Sequence, residues 1–336
     1  MWMVWVNPDQ ARAIGRLLSR LRGGLEVDTF TDPRYYPPPG EAKRSVAMYF
    51  LVMVAMDHRL SRPGAPYEGV VDGELYHGAD LLYRLGMKRY TEDPGFFTAE
   101  RLSRVSEREV LEWLSIEYRG RRITPPDPGV RAGLLRDLGL KLMVLYDGDP
   151  FRIIVESRGM LRRGVGDGFI DRLKVFKAYQ DPVEKKAFLL AKFLERRNVL
   201  EVADHWNKEV PVDNHLARIA VRTGIIGLSR QLIERIARQK PLTAWEDTMI
   251  RMAARQGYRI VSQASGIDPF TLDDFLWLFG RRCCTREEPV CRTGCRRVCS
   301  AIEGCNGGCI LAPACRAYRN PLLMLPEHSF LETWWY

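Results

Sequence analysis

The spacing of apolar residues along the chain predicts a mainly helical protein. Residues 8–22 carry apolar side chains at helical intervals, which places them on one face of a first helix. Further helical patterns cover residues 42–60, 79–86, 98–105, 107–113 and 129–145, and helices dominate from residue 149 onward. Strand-like alternation is scarce. The apolar residues of the first face are Ala11, Ile14, Leu17, Leu18 and Leu21.

Proline and glycine interrupt this helical pattern at several places. Residues 31–40 contain four prolines and are predicted to form a linker, because proline cannot continue a helix. Residues 61–73 and 118–128 are predicted to be loops. Residues 164–168 superficially resemble a phosphate-binding loop, but no strand precedes them and no Lys-Ser or Lys-Thr pair follows, so a turn is expected.

Composition indicates a cytoplasmic protein with no membrane partner. The first six residues are too short, and lack the basic flank, for a signal peptide. The longest apolar run, residues 46–56, is about half a membrane span and is expected to form a buried helix. Asn and Gln number only six each while Arg is plentiful, a bias typical of heat-adapted organisms. Such organisms tolerate intracellular disulfides.

Charge favours a polyanionic partner. The 336 residues carry a formal net charge of +9, which attracts nucleic acid without specificity, although a basic thermophile protein would carry a similar charge. Basic clusters at residues 119–122, 162–163 and 196–197 are candidates for phosphate contacts, with a solvated surface as the alternative. The length allows a large core and two lobes.

All the cysteines of the chain lie in one segment near the C-terminal end. Thiolates at such short spacings hold zinc or an iron–sulfur cluster, whereas a secreted disulfide framework would come with a short domain and a signal peptide. Six residues separate Cys284 from Cys291, and five separate Cys309 from Cys315. The other four cysteines are Cys283, Cys295, Cys299 and Cys305.

This segment resembles the cluster loop of the endonuclease III family of DNA glycosylases. Residues 278–291 read Leu-Phe-Gly-Arg-Arg-Cys-Cys-Thr-Arg-Glu-Glu-Pro-Val-Cys, similar to the Gly-Arg and Cys-x6-Cys pattern of that family, and residues 309–315 are similar to its closing Cys-x5-Cys pair. The resemblance implies a [4Fe–4S] cluster; the alternative is a pair of structural zinc sites. The implied ligands are Cys284, Cys291, Cys309 and Cys315.

The chain departs from the family between the second and third implied ligands. Seventeen residues separate Cys291 from Cys309, where the family has two. This insertion carries three of the four remaining cysteines. Because the remaining number is even, two disulfides or a second metal site are open to Cys283, Cys295, Cys299 and Cys305.

A second segment, residues 210–227, has the form of a capped helix. Pro211 enforces an extended entry, Asp213 is placed as an N-cap, and Gly224 ends the helix. Residues 212–218, Val-Asp-Asn-His-Leu-Ala-Arg, resemble the Val-Asp-x-His-x-x-Arg signature of the glycosylase superfamily. The resemblance implies that Asp213 is the catalytic carboxylate, which stabilises the oxocarbenium ion forming at the sugar. The alternative is a plain N-cap.

A candidate nucleophilic lysine lies upstream, where residues 181–187 open an apolar helix. Lys186 matches the lysine of the family's Gly-x-Gly-x-Lys hairpin, which forms a Schiff base with the sugar in members that cleave the strand. The two glycines, whose N–H groups contact a DNA phosphate in the family, are replaced by Pro182 and Glu184. The separation from Asp213 is closer to that in archaeal 8-oxoguanine glycosylases. The alternative is that Lys185 and Lys186 are solvated lysines of a first helical turn.

Together these resemblances, which cover residues 165–320, predict a mainly α, two-lobed helix-hairpin-helix glycosylase-like fold with a C-terminal [4Fe–4S] loop. The expected segments are an N-terminal helix and linker (1–45), a helical core (46–275) and a cysteine-rich tail (276–336). The implied function is excision of a flipped-out damaged base from double-stranded DNA by a monomer, with lyase activity if Lys186 reacts. The alternatives are a non-catalytic iron–sulfur nucleic-acid-binding protein and a glycosidase acting on a modified ribonucleoside or tRNA.

Overall fold

The structure, a computed structural model, describes residues 3–62, 64–294, 308–330 and 333–336. The predictions for Cys295, Cys299 and Cys305 lie outside these residues. The prediction of a mainly helical chain is confirmed. The helices are α1 (Pro8–Leu18), α2 (Lys43–Met56), α3 (Ala79–Glu92), α4 (Ala99–Leu102), α5 (Glu107–Trp113), α6 (Pro128–Tyr146), α7 (Phe151–Ser157), α8 (Phe169–Leu173), α9 (Lys185–Arg196), α10 (Asn214–Thr223), α11 (Arg230–Ala237), α12 (Ala244–Ser265), α13 (Pro269–Arg282), α14 (Val290–Thr293) and α15 (Arg316–Arg319).

Short strands form three two-stranded antiparallel sheets in the described part of the chain: β1 with β6, β2 with β3, and β4 with β5. The predicted loops at 61–73 and 118–128 are wrong in part, because they contain β2 and portions of the β4–β5 hairpin. Alternation over three or four residues is too short to be recognised in the sequence. The strands are β1 (Val4–Val6), β2 (Glu68–Val71), β3 (Glu74–His77), β4 (Ile116–Tyr118), β5 (Arg121–Ile123) and β6 (Ile226–Leu228).

The chain divides into two compact units. The first comprises the described residues within 1–27 and 208–332, so that both ends of the chain contribute to it. The second comprises residues 28–207 and 333–336.

In the first unit, long helices pack closely around α10. A Thr243–Glu246 capping box begins α12, and Gly266, at a φ of +66°, ends it. Helix α1 lies against α12 so tightly that a Cβ on Gly15 would come within 2.6 Å of the Ala264 Cβ. Helix α10 packs against both α12 and α13. The result is an apolar core that holds α10 along its length.

In the second unit, α2 is the central helix. Its residues 46–56 are buried on every side, which confirms the sequence prediction for this apolar run. Helix α9 packs against it. The aromatic residues 334–336 also pack in this unit, with the Arg59 N–H donating to the Tyr336 carbonyl over 2.7 Å. Among the described residues, no helix is both long and apolar enough to cross a membrane.

Candidate functional site

Asp213 is the N-cap of α10, as the sequence predicts. Its backbone is extended, and its Oδ1 accepts a hydrogen bond from the Leu216 N–H over 2.9 Å. Gly224, at a φ of +80°, ends the helix. Asp213 is half-buried, and its second oxygen, Oδ2, has no hydrogen-bond partner among the described residues. One carboxylate oxygen therefore fixes the side chain while the other is left for a further interaction.

Arg251 of α12 holds the residues on both sides of Asp213. Its Nη2 donates to the Asn214 Oδ1 over 2.6 Å, and its Nη1 donates to the Val212 carbonyl over 3.3 Å. Arg251 is buried, so these bonds are shielded from competing water. The orientation of the Asp213 carboxylate is thus set by a neighbouring helix as well as by its own cap.

Asp247 holds Arg251 in turn. Its carboxylate accepts from the Arg251 Nε over 2.9 and 3.0 Å, and its Oδ1 lies 2.7 Å from the His328 Nε2. Burial by itself raises the pKa of Asp247, but Arg251 and His328 outweigh burial and lower this pKa to about 2. Asp247 therefore stays ionised across the neutral and mildly acidic range, and the chain that leads to Asp213 stays intact.

The four implied metal ligands surround one cavity at the other end of α10. The cavity is small, with a volume of about 20 Å³, and is lined by Arg222 and by the cysteines. Cys283, the neighbour of the first ligand, is disulfide-bonded. Within the described ranges, no three His, Cys, Asp or Glu side chains stand close enough to hold a single metal ion. The free thiols are Cys284, Cys291, Cys309 and Cys315.

Burial raises the pKa values of three of these thiols, Cys291, Cys309 and Cys315. It raises the pKa of Cys309 to about 12 and raises the pKa values of Cys291 and Cys315 above the usual thiol value. A bound metal deprotonates such thiols outright, so metal uptake here would release protons.

Arg222, in the last turn of α10, ties the first cysteine segment to the helix. Its Nη1 donates to the Thr285 carbonyl over 2.6 Å and lies 3.5 Å from the Cys284 Sγ. Its Nη2 donates to the Arg286 carbonyl over 2.8 Å, and its Nε to the Leu325 carbonyl over 2.8 Å. The cavity wall is therefore built on the same helix that carries Asp213.

Arg218, one turn earlier, makes a second connection. It donates from Nε to the Cys284 carbonyl over 3.0 Å and from Nη2 to the Gly280 carbonyl over 2.7 Å, and it is ion-paired with Glu327. Burial lowers its pKa to about 10, which leaves it charged at neutral pH. Arg218, the arginine of the 212–218 segment, therefore links α10 to the cysteine segment.

The two parts of the first unit's site lie far apart. Helix α10 has ten residues, which corresponds to about 15 Å between the Asp213 cap and the cavity at the opposite end. Asp213 does not line the cysteine cavity. A metal bound by the thiols would therefore be remote from a substrate bound at Asp213.

Lys186 belongs to the second unit, and the alternative of a solvated lysine is wrong. It is 0% exposed. Its Nζ donates to the carbonyls of Ala55 and Trp334, both over 2.7 Å, and lies 3.3 Å from the His58 Nδ1. Burial, followed by the charge of Lys185, lowers the pKa of Lys186 well below its usual value. The amine is thus desolvated and held by three contacts.

The turn that precedes α9 satisfies its own amides. The Asp181 carboxylate accepts from the Lys185 N–H over 2.7 Å and from the Lys186 N–H over 3.3 Å. These are amides at the helix start, where an external phosphate would otherwise be bound. An internal carboxylate therefore occupies the position of the expected phosphate contact.

Glu184 keeps the backbone shape that a glycine would favour at this turn. Its φ is +56°, in the left-handed region, at the position of the second glycine of the hairpin motif. Its carboxylate is ion-paired with Arg162, and with the Lys174 Nζ over 2.8 Å. Glu184 therefore holds a left-handed backbone at this turn, and its carboxylate is already occupied by two cations.

No protein-family model matches this sequence, and no curated protein is significantly similar to it.

Several residues of the site are missed by sequence reasoning. Arg222 and Arg251 look like surface arginines in the sequence, because nothing in their spacing marks them as buried. Gln10 is equally inconspicuous, although its Nε2 donates to the carbonyls of Thr223 and Ala314, both over 2.6 Å. Most of the partners of these three residues are backbone carbonyls, which only the tertiary fold brings close.

Proposed function

We propose that this chain is a DNA-repair N-glycosylase of the helix-hairpin-helix superfamily that excises a damaged or modified base. One observation carries the proposal: a single helix, α10, bears Asp213 at its N-terminus and, through Arg218 and Arg222, holds the cysteine cavity at its other end. The segments that carry the two sequence signatures are thus joined through one helix. One of the linking arginines, Arg222, lies outside the Asp213 signature, so this part of the link is independent of the motif spacing.

The chemistry that we assign to Asp213 is electrostatic stabilisation. A nucleobase extruded from the duplex leaves its sugar as an oxocarbenium ion, and a carboxylate beside that sugar lowers the energy of the positive charge. The Asp213 Oδ2 is available for this interaction, and it can orient the water that attacks the sugar. Arg251 keeps the carboxylate in place through the Val212 carbonyl on one side and the Asn214 side chain on the other.

The donor set of the cavity fits a [4Fe–4S] cluster held by Cys284, Cys291, Cys309 and Cys315. Four free thiols around a common cavity suit ligands that bind separate iron atoms, whereas zinc draws its ligands to about 2.3 Å of one ion. A bound cluster would supply a rigid covalent link between the two cysteine segments.

Hydrolysis is the activity that we propose for this chain, ahead of strand cleavage. The Lys186 amine would have to leave all three of its contacts before it could attack a sugar. We therefore expect no borohydride-trapped complex between the wild-type protein and abasic duplex DNA. A trapped complex that persists in Lys185→Met and disappears in Lys186→Met would establish the lyase route instead.

Base release from a panel of duplexes with damaged bases tests the proposal. Asp213→Asn is expected to lower the release rate at least about 100-fold, because the charge that stabilises the oxocarbenium ion is removed. Asp268→Asn is the matched control: Asp268 is also an N-cap in the first unit, where it accepts from the Phe270 N–H. The control is expected to keep its activity.

The visible spectrum of the same preparations tests the cluster. The wild type and Asp213→Asn, both purified anaerobically, should be brown and absorb at about 400 nm. A colourless, iron-free protein that contains zinc would refute the cluster assignment. Cluster-containing protein that binds DNA but releases no base would be a binding module, and release from modified ribonucleosides alone would indicate the RNA glycosidase.

A further inference from the structure

The β4–β5 hairpin presents a concentration of positive charge. Its strands pair Ile116 with Ile123 and Tyr118 with Arg121, and the loop between them consists of two residues only. Arg119, Arg121 and Arg122 are all exposed. Among the described residues, no carboxylate lies within ion-pair distance of any of these three side chains. The nearest acid in the register, Glu117, faces Arg122 across the strands without forming an ion pair.

The turn holds Arg119 in a conformation that does not suit arginine. Arg119 has a φ of +51° and Gly120 a φ of +71°, the signs of a two-residue turn in which Asn-Gly is preferred. The Arg119 guanidinium lies 5.0 Å from the centre of the Tyr118 ring, a distance that allows stacking. The side chain is thus held at the hairpin tip by the ring beside it.

The base of the hairpin is rigid. Ile116 packs so closely on β2 that a Cβ on Gly69 would come within 2.6 Å of its Cγ2. The Tyr67 hydroxyl donates to the buried Leu114 carbonyl over 2.6 Å, just before β4 begins. The rigid base therefore fixes the backbone positions from which the three arginines project.

The neighbouring β2–β3 hairpin does not cancel this charge. Its acidic side chains already have partners: Glu68 lies 3.0 Å from the His77 Nδ1, and Asp72 is ion-paired with Arg84. Glu74 pairs with Arg34, also over 3.0 Å. The arginines of the β4–β5 hairpin are therefore available to an external anion.

From these observations we infer that the β4–β5 hairpin is a contact for the phosphates of double-stranded DNA. Guanidinium groups bind phosphate oxygens in pairs, and a two-stranded ribbon fits the major groove of B-form DNA but not the deep, narrow groove of double-stranded RNA. This inference rests on the proposed function. DNA phosphates must be bound outside α9, because the amides at the start of that helix already donate to the Asp181 carboxylate.

Binding of a short undamaged duplex, followed by fluorescence anisotropy at several salt concentrations, tests the inference without any base excision. The variant combines Arg119→Asn, Arg121→Gln and Arg122→Gln, since asparagine accepts the left-handed backbone at position 119. We expect affinity to fall at least about tenfold and the salt slope to fall by about 3, one for each phosphate that is no longer neutralised. Absent base excision with normal duplex binding would contradict the proposed function alone. Unchanged duplex binding by the hairpin variant would contradict this inference alone.

A second triple variant removes the same charge elsewhere in the second unit. Arg44, Arg104 and Arg108 are exposed, and each has a carboxylate partner. Their replacement by Gln is expected to leave the duplex affinity within about twofold of the wild type. An equal fall in affinity in both variants would overturn the inference in favour of overall charge.

The identity of the partner is tested with the same proteins. A hairpin variant that loses affinity for an RNA duplex, or for vesicles containing anionic phospholipid, while it keeps its affinity for DNA would overturn the inference. If the variant fails to fold, arginine modification by phenylglyoxal on the wild type decides: DNA should protect Arg119, Arg121 and Arg122, and unchanged labelling would refute the contact.

Discussion

At the scale of single residues, Arg222 shows how a single cation can organise the cysteine segment. Three backbone carbonyls and one thiol meet its planar guanidinium, each in a direction that the planar group fixes. Lysine carries the same charge but cannot donate in three coplanar directions. The cavity geometry therefore depends on the shape of this side chain as much as on its charge.

Arg222→Lys is expected to destabilise the first unit by about 2 kcal/mol, because at least two of the three carbonyls, one buried and two part-buried, lose their donor. Iron and sulfide content should fall in parallel with the midpoint of thermal unfolding. Arg286→Lys is the matched control, since the Arg286 side chain is exposed on the same segment. Equal stability of the two variants would show that the guanidinium contacts are dispensable.

At the scale of elements, Gly224 ends α10 and also leaves room for the closing cysteine segment. The backbone of Gly224 is left-handed, and a Cβ on this residue would collide with the Arg316 Cδ. Arg316 follows the fourth implied ligand, Cys315. The end of the helix and the closing cysteine segment can therefore approach each other only because residue 224 has no side chain.

Gly224→Ala is expected to reduce cluster content as well as stability, whereas Gly166→Ala should reduce stability alone. Gly166 has a similar φ of +74°, but a Cβ added there would meet nothing within 4 Å, so both variants carry the same backbone cost of about 1 kcal/mol. The absorbance at about 400 nm per mole of protein distinguishes the two variants. Equal absorbance would mean that Arg316 moves aside without disturbing Cys315.

The elements also indicate how far the sequence could be interpreted. Helix positions, the Asp213 cap and the buried α2 followed from periodicity and capping chemistry, which are local properties. The β4–β5 hairpin did not, because three-residue strands lack a recognisable period. The carbonyl partners of Lys186 were also out of reach, since Ala55 of α2 and Trp334 are distant from it in sequence.

At the scale of the whole molecule, the buried group of Asp247, Arg251 and His328 joins α12 to the C-terminal segment of the first unit. The pKa of Asp247 in the folded protein is about 2, below the ordinary aspartate value of 3.8. The folded state therefore binds this proton less readily than the unfolded state. Its contribution to stability is present above about pH 4 and disappears as the pH falls towards 2.

Denaturant unfolding between pH 7 and pH 2 should reveal this contribution, which amounts to about 2 kcal/mol. Asp247→Asn is expected to be less stable at neutral pH and to lose less stability on acidification. Asp9→Asn provides the comparison, because the Asp9 side chain is 96% exposed in its contact with Arg12. Identical acid profiles for wild type and Asp247→Asn would contradict the role of this group.

The discontinuous make-up of the units has a consequence for synthesis on the ribosome. The Gln10 side chain donates to the carbonyl of Ala314, 304 residues later, and the second unit includes residues 333–336. Neither unit is therefore complete until the ribosome has added these late residues, long after most of each unit has been made. The earlier part of each unit must stay incompletely packed until then.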